Sequence, residues 1–101
     1  MRSPISDEIV DRDIRTAVDF LSNWPGVRRI WLFGSAAKGR PLDWRSDLDF
    51  AVEGMASTDR YRAWAELDER MSVPVDLVLL EVANPILRGE ILQWGKLLYE
   101  T

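Results

Sequence analysis

The stretch Gly34-Ser35-Ala36-Ala37-Lys38-Gly39-Arg40-Pro41-Leu42-Asp43-Trp44-Arg45-Ser46-Asp47-Leu48-Asp49-Phe50 decides how this chain is read. A Gly-Ser turn and a short basic loop lead directly into two carboxylates spaced by one residue. Residues i and i+2 of a β-strand share a face, so Asp47 and Asp49 stand side by side while Leu48 and Phe50 turn to the opposite face. Two carboxylates about 5–6 Å apart repel by roughly 3 kcal/mol at an effective dielectric near 20. A fold gains nothing from that arrangement unless a cation sits between them. Mg²⁺ is the natural ion, because it takes one or two carboxylates and completes its shell with phosphate oxygens.

The flanking sequence builds a frame for this stretch. Ser6 to Ser22 is expected to be a helix, capped by Ser6, with Asp7 and Glu8 at the positive end of its dipole. Val10, Ile14, Ala17, Val18 and Leu21 form its apolar face, and Asn23, Pro25 and Gly26 end it. Val27 to Phe33 is a buried strand, and Ser35 to Lys38 opens a short helix stopped by Gly39 and Pro41. Asp47 to Val52 is the second strand. A helix over Asp59 to Met71 follows, capped by Ser57 or Thr58, with Tyr61, Trp64, Leu67, Asp68 and Met71 on one side, Asp68 being the imperfection in that face. Val73 to Leu80 is the third strand. Asn84-Pro85 starts a last helix carrying Ile86, Leu87, Ile91, Leu92 and Trp94 to Gly95, and Lys96 to Tyr99 is a short edge strand. Trp31, Trp64 and Trp94 read as core. The fold class is therefore α/β or α+β, a small mixed sheet flanked by about four helices, with residues 1–101 as one domain.

Asp76 interrupts the apolar run Val75-Asp76-Leu77-Val78-Leu79-Leu80. A charge in a buried strand is costly unless it is paired or metal-bound. If this strand lies beside that of Asp47 and Asp49, three carboxylates converge. Two could bind metal, and the third could join them or accept a proton from an attacking hydroxyl. Gly34 lets backbone approach a phosphate, the Ser35 hydroxyl adds a donor, and Lys38, Arg40 and Arg45 bring positive charge. Trp44 could stack on a base, on a partner or on an apolar sheet edge. Glu53 and the acidic cluster Glu66, Asp68 and Glu69 read as solvated.

Composition narrows the chemistry. The chain has 101 residues, 13 Lys+Arg against 17 Asp+Glu, and neither cysteine nor histidine. Disulfides, thiolate metal sites, His-zinc sites and Ser-His-Asp catalysis are excluded. The acidic balance argues against bulk nucleic-acid binding but not against one locally held nucleotide. Met1-Arg2-Ser3-Pro4 leads into charged residues rather than an apolar run, and no stretch approaches the roughly eighteen apolar residues of a membrane span, so a cytoplasmic location without membrane contact is expected.

Gly34-Ser35, Gly39, Ser46-Asp47-Leu48-Asp49 and Val75-Asp76-Leu77 together resemble the minimal nucleotidyltransferases of the DNA polymerase β superfamily. The resemblance spans Val27 to Tyr99 and implies the nucleotidyltransferase fold, a nucleoside triphosphate substrate such as ATP, and two Mg²⁺ ions. It implies metal binding by Asp47, Asp49 and Asp76, with Asp76 the carboxylate nearest the nucleophile. It implies nucleotide binding by Gly34, Ser35, Lys38, Arg40 and Ser46, with Gly34 and Ser35 on the β- and γ-phosphates. The reaction implied is attack on the α-phosphate with loss of pyrophosphate. Bacterial members include antitoxins paired with HEPN-domain toxins, so a HEPN partner, with AMP transferred to one of its tyrosines, is the implied context. A partner-binding antitoxin or regulatory subunit without turnover, or a subunit acting on a small antibiotic, are the alternatives. Where the family often has arginines this chain has Ala36 and Lys38, and lysine keeps the charge without the planar fork.

Overall fold

The computed structural model describes residues 5–43 and 46–101; Met1-Arg2-Ser3-Pro4, Trp44 and Arg45, with the loop roles expected of the last two, lie outside the described residues. Helix α1 (Asp7–Ser22) begins as its sequence dictates. The Ser6 hydroxyl accepts from the Ile9 amide at 3.3 Å, and Asp7 and Glu8 occupy the first turn. Strands β1 (Arg29–Phe33), β2 (Leu48–Glu53), β3 (Val75–Leu79) and β4 (Lys96–Glu100) form one mixed sheet in the order β3-β2-β1-β4. β1 runs antiparallel to both β2 and β4, whereas β3 is parallel to β2. A parallel pair needs a crossover. Helix α2 (Arg60–Arg70) supplies it, entered through a 3₁₀ turn at Ser57–Asp59. Neither Ser57 nor Thr58 caps α2: the residue before it is Asp59, which makes no capping bond and instead accepts from the Trp24 indole at 3.2 Å. Helix α3 (Pro85–Trp94) starts where Asn84 accepts from the Leu87 amide at 2.9 Å, with Pro85 at its first position.

Alternation along the strands separates two faces. Ile30, Leu32, Leu48, Phe50, Val52, Val75, Leu77 and Leu79 are buried on one face, where Ala17 and Leu21 of α1 and Ala63 and Leu67 of α2 pack against them. Trp31, Phe33 and Ala51 point to the other face and meet Leu80 and Ile91. Among the described residues, α3 and the 3₁₀ turn at Leu80–Val82 cover this second face in part. Asp49 and Asp76 belong to it by the same alternation.

Several expectations need correction. Residues 34–39 make a hydrogen-bonded turn rather than a short helix, with the Lys38 amide donating to the Gly34 and Ser35 carbonyls and the Arg40 amide to that of Ser35. Four residues between two glycines cannot propagate a helix, and both Gly34 and Gly39 have positive φ. The described residues therefore contain three α-helices, not about four. Trp94 is 63% exposed and Trp64 half-buried, so of the three tryptophans assigned to the core only Trp31 is fully inside. Tyr61 (73% exposed) stands clear of the core, and on α3 only Ile91 is buried while Ile86 and Leu92 face outward. That helix is apolar on several sides, so its pattern marks no single inner face. Val18 is half-buried at the edge of the α1 face, while Asp13 is fully inside it. Its Oδ2 accepts from the Ser72 amide at 2.9 Å and the Val73 amide at 3.0 Å, tying α1 to the chain that enters β3. No helix among the described residues is long and apolar enough to cross a membrane.

Candidate active site

The C-terminal end of β1 and the N-terminal ends of β2 and β3 meet at one edge of the sheet. In the parallel β2–β3 register, Asp49 lies directly beside Asp76. In the antiparallel β1–β2 register, Phe33 lies beside Asp49, so Gly34 begins the turn next to that carboxylate. Gly34 has φ +74°, and a Cβ there would lie 2.3 Å from Asp49 Oδ2. Any side chain at 34 would collide with the carboxylate as well as strain the backbone. Glycine thus leaves the backbone turn open beside Asp49. Asp47 precedes β2 by one residue and is exposed.

Burial, then Asp76, then Asp47 push the Asp49 carboxyl up to about 6. The two neighbouring contributions mean that all three carboxylates share one electrostatic field. Among the described residues, no hydrogen bond or ion pair offsets the charge of Asp49. Asp76 is held differently. Its Oδ1 accepts from the Leu77 amide at 3.0 Å and lies 3.9 Å from an Arg60 guanidinium nitrogen. Arg60 is itself fixed by donating from Nε to the Leu77 carbonyl at 2.9 Å. Nothing in the sequence around Arg60 distinguishes it from Arg62 or Arg70 on the same helix; only the fold brings it to Asp76.

The expected phosphate contacts are less convergent. Ser35 is exposed at the turn beside Gly34, and Arg40 is exposed further along the same loop. Lys38 reaches back to α3, with Nζ 3.4 Å from Glu90 Oε1. Ser46 is bonded to Asp43: its amide donates to the Asp43 carbonyl at 3.0 Å, and its hydroxyl accepts from the Asp43 amide at 3.3 Å. Glu53, read as solvated, is half-buried and paired with Arg29 at 2.7 Å.

An oxygen-only donor set of crowded carboxylates suits a hard divalent cation. Among the described residues, no group of three or more Asp, Glu, His or Cys side chains is arranged to hold a metal on its own.

A family model described as polymerase beta, nucleotidyltransferase matches residues 15–101. Solved structures share the fold. A chain from a complex of a tri-AMPylated Shewanella oneidensis HEPN toxin with an MNT antitoxin is 26% identical with a TM-score of 0.71, covering 90% of this chain and 72% of that one. A chain from a toxin–antitoxin structure with AMP-PNP is 29% identical at a TM-score of 0.69, covering 90% of this chain and 73% of that one. A structure described as a minimal nucleotidyltransferase is 26% identical at a TM-score of 0.73, covering 90% and 94%. No curated protein gives a significant match.

Proposed function

We propose, from the premise that the chain belongs to the polymerase β nucleotidyltransferase family, that it transfers AMP from ATP to a tyrosine hydroxyl of a HEPN-domain partner in the cytoplasm. One observation carries the reading. Asp49 and Asp76 are register partners on adjacent strands, and the side-chain-free Gly34 opens the phosphate turn beside them. Two similar structures add context, one of an AMPylated HEPN toxin with its antitoxin and one with AMP-PNP. Exposed Ile86, Leu92, Trp94 and Leu97 on α3 and β4 give the molecule apolar surface of the kind protein partners cover.

Asp47 and Asp49 would hold Mg²⁺, with Asp76 completing the set. The ion would neutralise charge building on the phosphate oxygens. Gly34 and Ser35 would receive the β- and γ-phosphates, with Lys38, Arg40 and Ser46 nearby. Asp76, fixed by the Leu77 amide and Arg60, would orient the acceptor hydroxyl and take its proton. The hydroxyl oxygen bonds to the α-phosphorus, the bond to the β-phosphate oxygen breaks, and pyrophosphate leaves. The proton passes from Asp76 to solvent.

Incubation with ATP, Mg²⁺ and a genomically adjacent HEPN protein should add one or more AMP increments to that partner in intact-mass spectra. Asp47→Ala and Asp76→Ala should each abolish the increment while association with the partner survives. The Lys38–Glu90 pair favours a second reading, a partner-binding antitoxin without turnover, because it occupies a cation expected on phosphate. A wild-type protein that neutralises its partner without any mass shift would establish that second reading and end the first.

A further inference from the structure

Trp94 is out of place on α3. It follows Leu87 by seven residues and Ile91 by three, so it belongs to the stripe that faces the sheet. Ile91 is buried there and Leu87 is half-buried against the same cluster, yet Trp94 is 63% exposed. The reason is its place along the sheet: it lies past the last β1–β4 pair, Leu32 and Lys96, so no strand runs beneath it. A cavity of about 440 Å³ lies there instead, lined among the described residues by Trp94, Lys38, Arg40 and Glu90. Small-ligand sites occupy about 300–1,000 Å³, so the space is large enough for a nucleoside.

Strand order fixes where this cavity stands. Asp76, Asp49, the Gly34 turn and Trp94 follow one another along one end of the sheet, on or just beyond β3, β2, β1 and β4. Successive strands are roughly 5 Å apart. A nucleotide with its α-phosphate at Asp49 and its β- and γ-phosphates at Gly34 and Ser35 therefore points its phosphate tail toward Trp94. Its own base hangs from the α-phosphate, at the opposite end of the triphosphate. We propose that the cavity is a second nucleotide subsite, which takes the base and a phosphate of a nucleoside phosphate lying beyond the donor's γ-phosphate. The order of the phosphates rests on the nucleotidyl-transfer reading, but binding in the cavity does not.

The lining selects this class of ligand. An indole face stacks any base, and a lysine and an arginine beside it suit phosphate oxygens. The amides of Lys38 and Arg40 help close the phosphate turn, while their side chains line the cavity. Glu90 Oε1 lies 3.4 Å from Lys38 Nζ and holds that lysine at the α3 side. The occupant has two sources: the far half of a dinucleoside polyphosphate, or a separate nucleotide bound next to ATP. With the first as donor, the acceptor oxygen bonds to the α-phosphorus and the bond to the β-phosphate oxygen breaks. A nucleoside polyphosphate then leaves in place of pyrophosphate, and the proton passes to Asp76 as it would with ATP.

The test compares ATP with diadenosine tetraphosphate by calorimetry on the full chain with Mg²⁺. A ligand that spans both subsites should bind once per chain and about tenfold more tightly than ATP, through the added stacked base. A separate nucleotide should instead appear as a second ATP per chain. Trp94→Ala, at an exposed position, should remove that tenfold advantage or that second ATP and leave the first ATP unchanged. Trp94→Phe, which keeps an aromatic face, should retain it. One ATP per chain together with no advantage for the tetraphosphate would overturn the proposal. So would an equal loss of both ligands in Trp94→Ala, which would assign Trp94 to the donor's own base. No change in either ligand would also overturn it and leave Trp94 to the surface that a protein partner covers. Tetraphosphate binding that depends on Trp94, with no AMP appearing on the HEPN partner, would refute transfer and leave the subsite standing.

Discussion

Asp13 and Asp49 are both carboxylates inside the molecule, and they are treated in opposite ways. Asp13 is 1% exposed, yet two backbone amides donate to it. Asp49 is half-buried, receives no such donor among the described residues, and faces Asp76 and Asp47. The first is a solved packing problem: its charge is spent on joining α1 to the start of β3. The second is a problem left open by the fold, which keeps negative charge uncompensated where a cation and phosphates would compensate it. Burial by itself therefore does not mark a functional carboxylate. The partners that are missing do.

The largest effect should come from breaking the satisfied member. Asp13→Ala strips the acceptor from the Ser72 and Val73 amides. Val73 is buried, so water cannot replace the lost partner there, while the exposed Ser72 amide recovers more easily. A loss of about 3 kcal/mol is expected, read from urea denaturation with an unchanged m-value. A loss below about 0.5 kcal/mol would mean that Asp13 is not the latch described here.

Asp49→Asn should do the reverse. Without metal it removes a charge that the fold disfavours, so the chain should be as stable or more stable in EDTA. The pH dependence gives the sign. The folded-state value is about 6 against an ordinary 3.8, so the folded state holds the extra proton between those values. Stability attributable to this group is therefore highest at low pH and falls as pH rises through about 4 to 6. The half-exposed group is screened by solvent, which brings the expected loss to about 1 kcal/mol. Asp49→Asn should flatten that part of the profile in EDTA, whereas a wild-type profile flat over the same window would remove the contrast with Asp13. The same substitution should erase Mg²⁺-dependent ATP binding. In the wild type Mg²⁺ should raise ATP affinity by at least about tenfold, and equal affinity with and without the ion would count against the metal site.

The contrast also explains what could be read in the sequence. Asp49 and Asp76 were legible because strand alternation is local: a charge among Leu48, Phe50, Val75 and Leu77 announces itself, and the register then sets the two side by side. The sheet, the three longer helices and the caps at Ser6 and Asn84 followed from equally local signals. Asp13 was not legible, because its donors lie about sixty residues away and it sits among other helix carboxylates. The same holds for Arg60, which meets Asp76 only once α2 crosses over β3. Trp94 failed for another reason. Apolar residues surround α3, so periodicity could not say which side would be covered.

The smallest expected effect lies between the two classes. Lys38 and Glu90 join the phosphate turn to α3 at 3.4 Å, with both side chains about four-tenths exposed. As a structural contact this pair resembles Asp13 in form but not in weight, because an exposed lysine–glutamate pair contributes only about 0.5 kcal/mol. Glu90→Gln should therefore leave stability almost unchanged. If Lys38 belongs with the uncompensated site, freeing it should strengthen Mg-ATP binding by about two- to threefold, since its charge no longer has to leave a carboxylate before meeting phosphate. Lys38→Ala should weaken binding by a similar factor. Calorimetry at low ionic strength reads both. A Glu90→Gln protein with unchanged ATP affinity, alongside a Lys38→Ala protein equally unchanged, would place Lys38 with the surface ion pairs and leave Gly34, Ser35 and Arg40 as the phosphate side of the site.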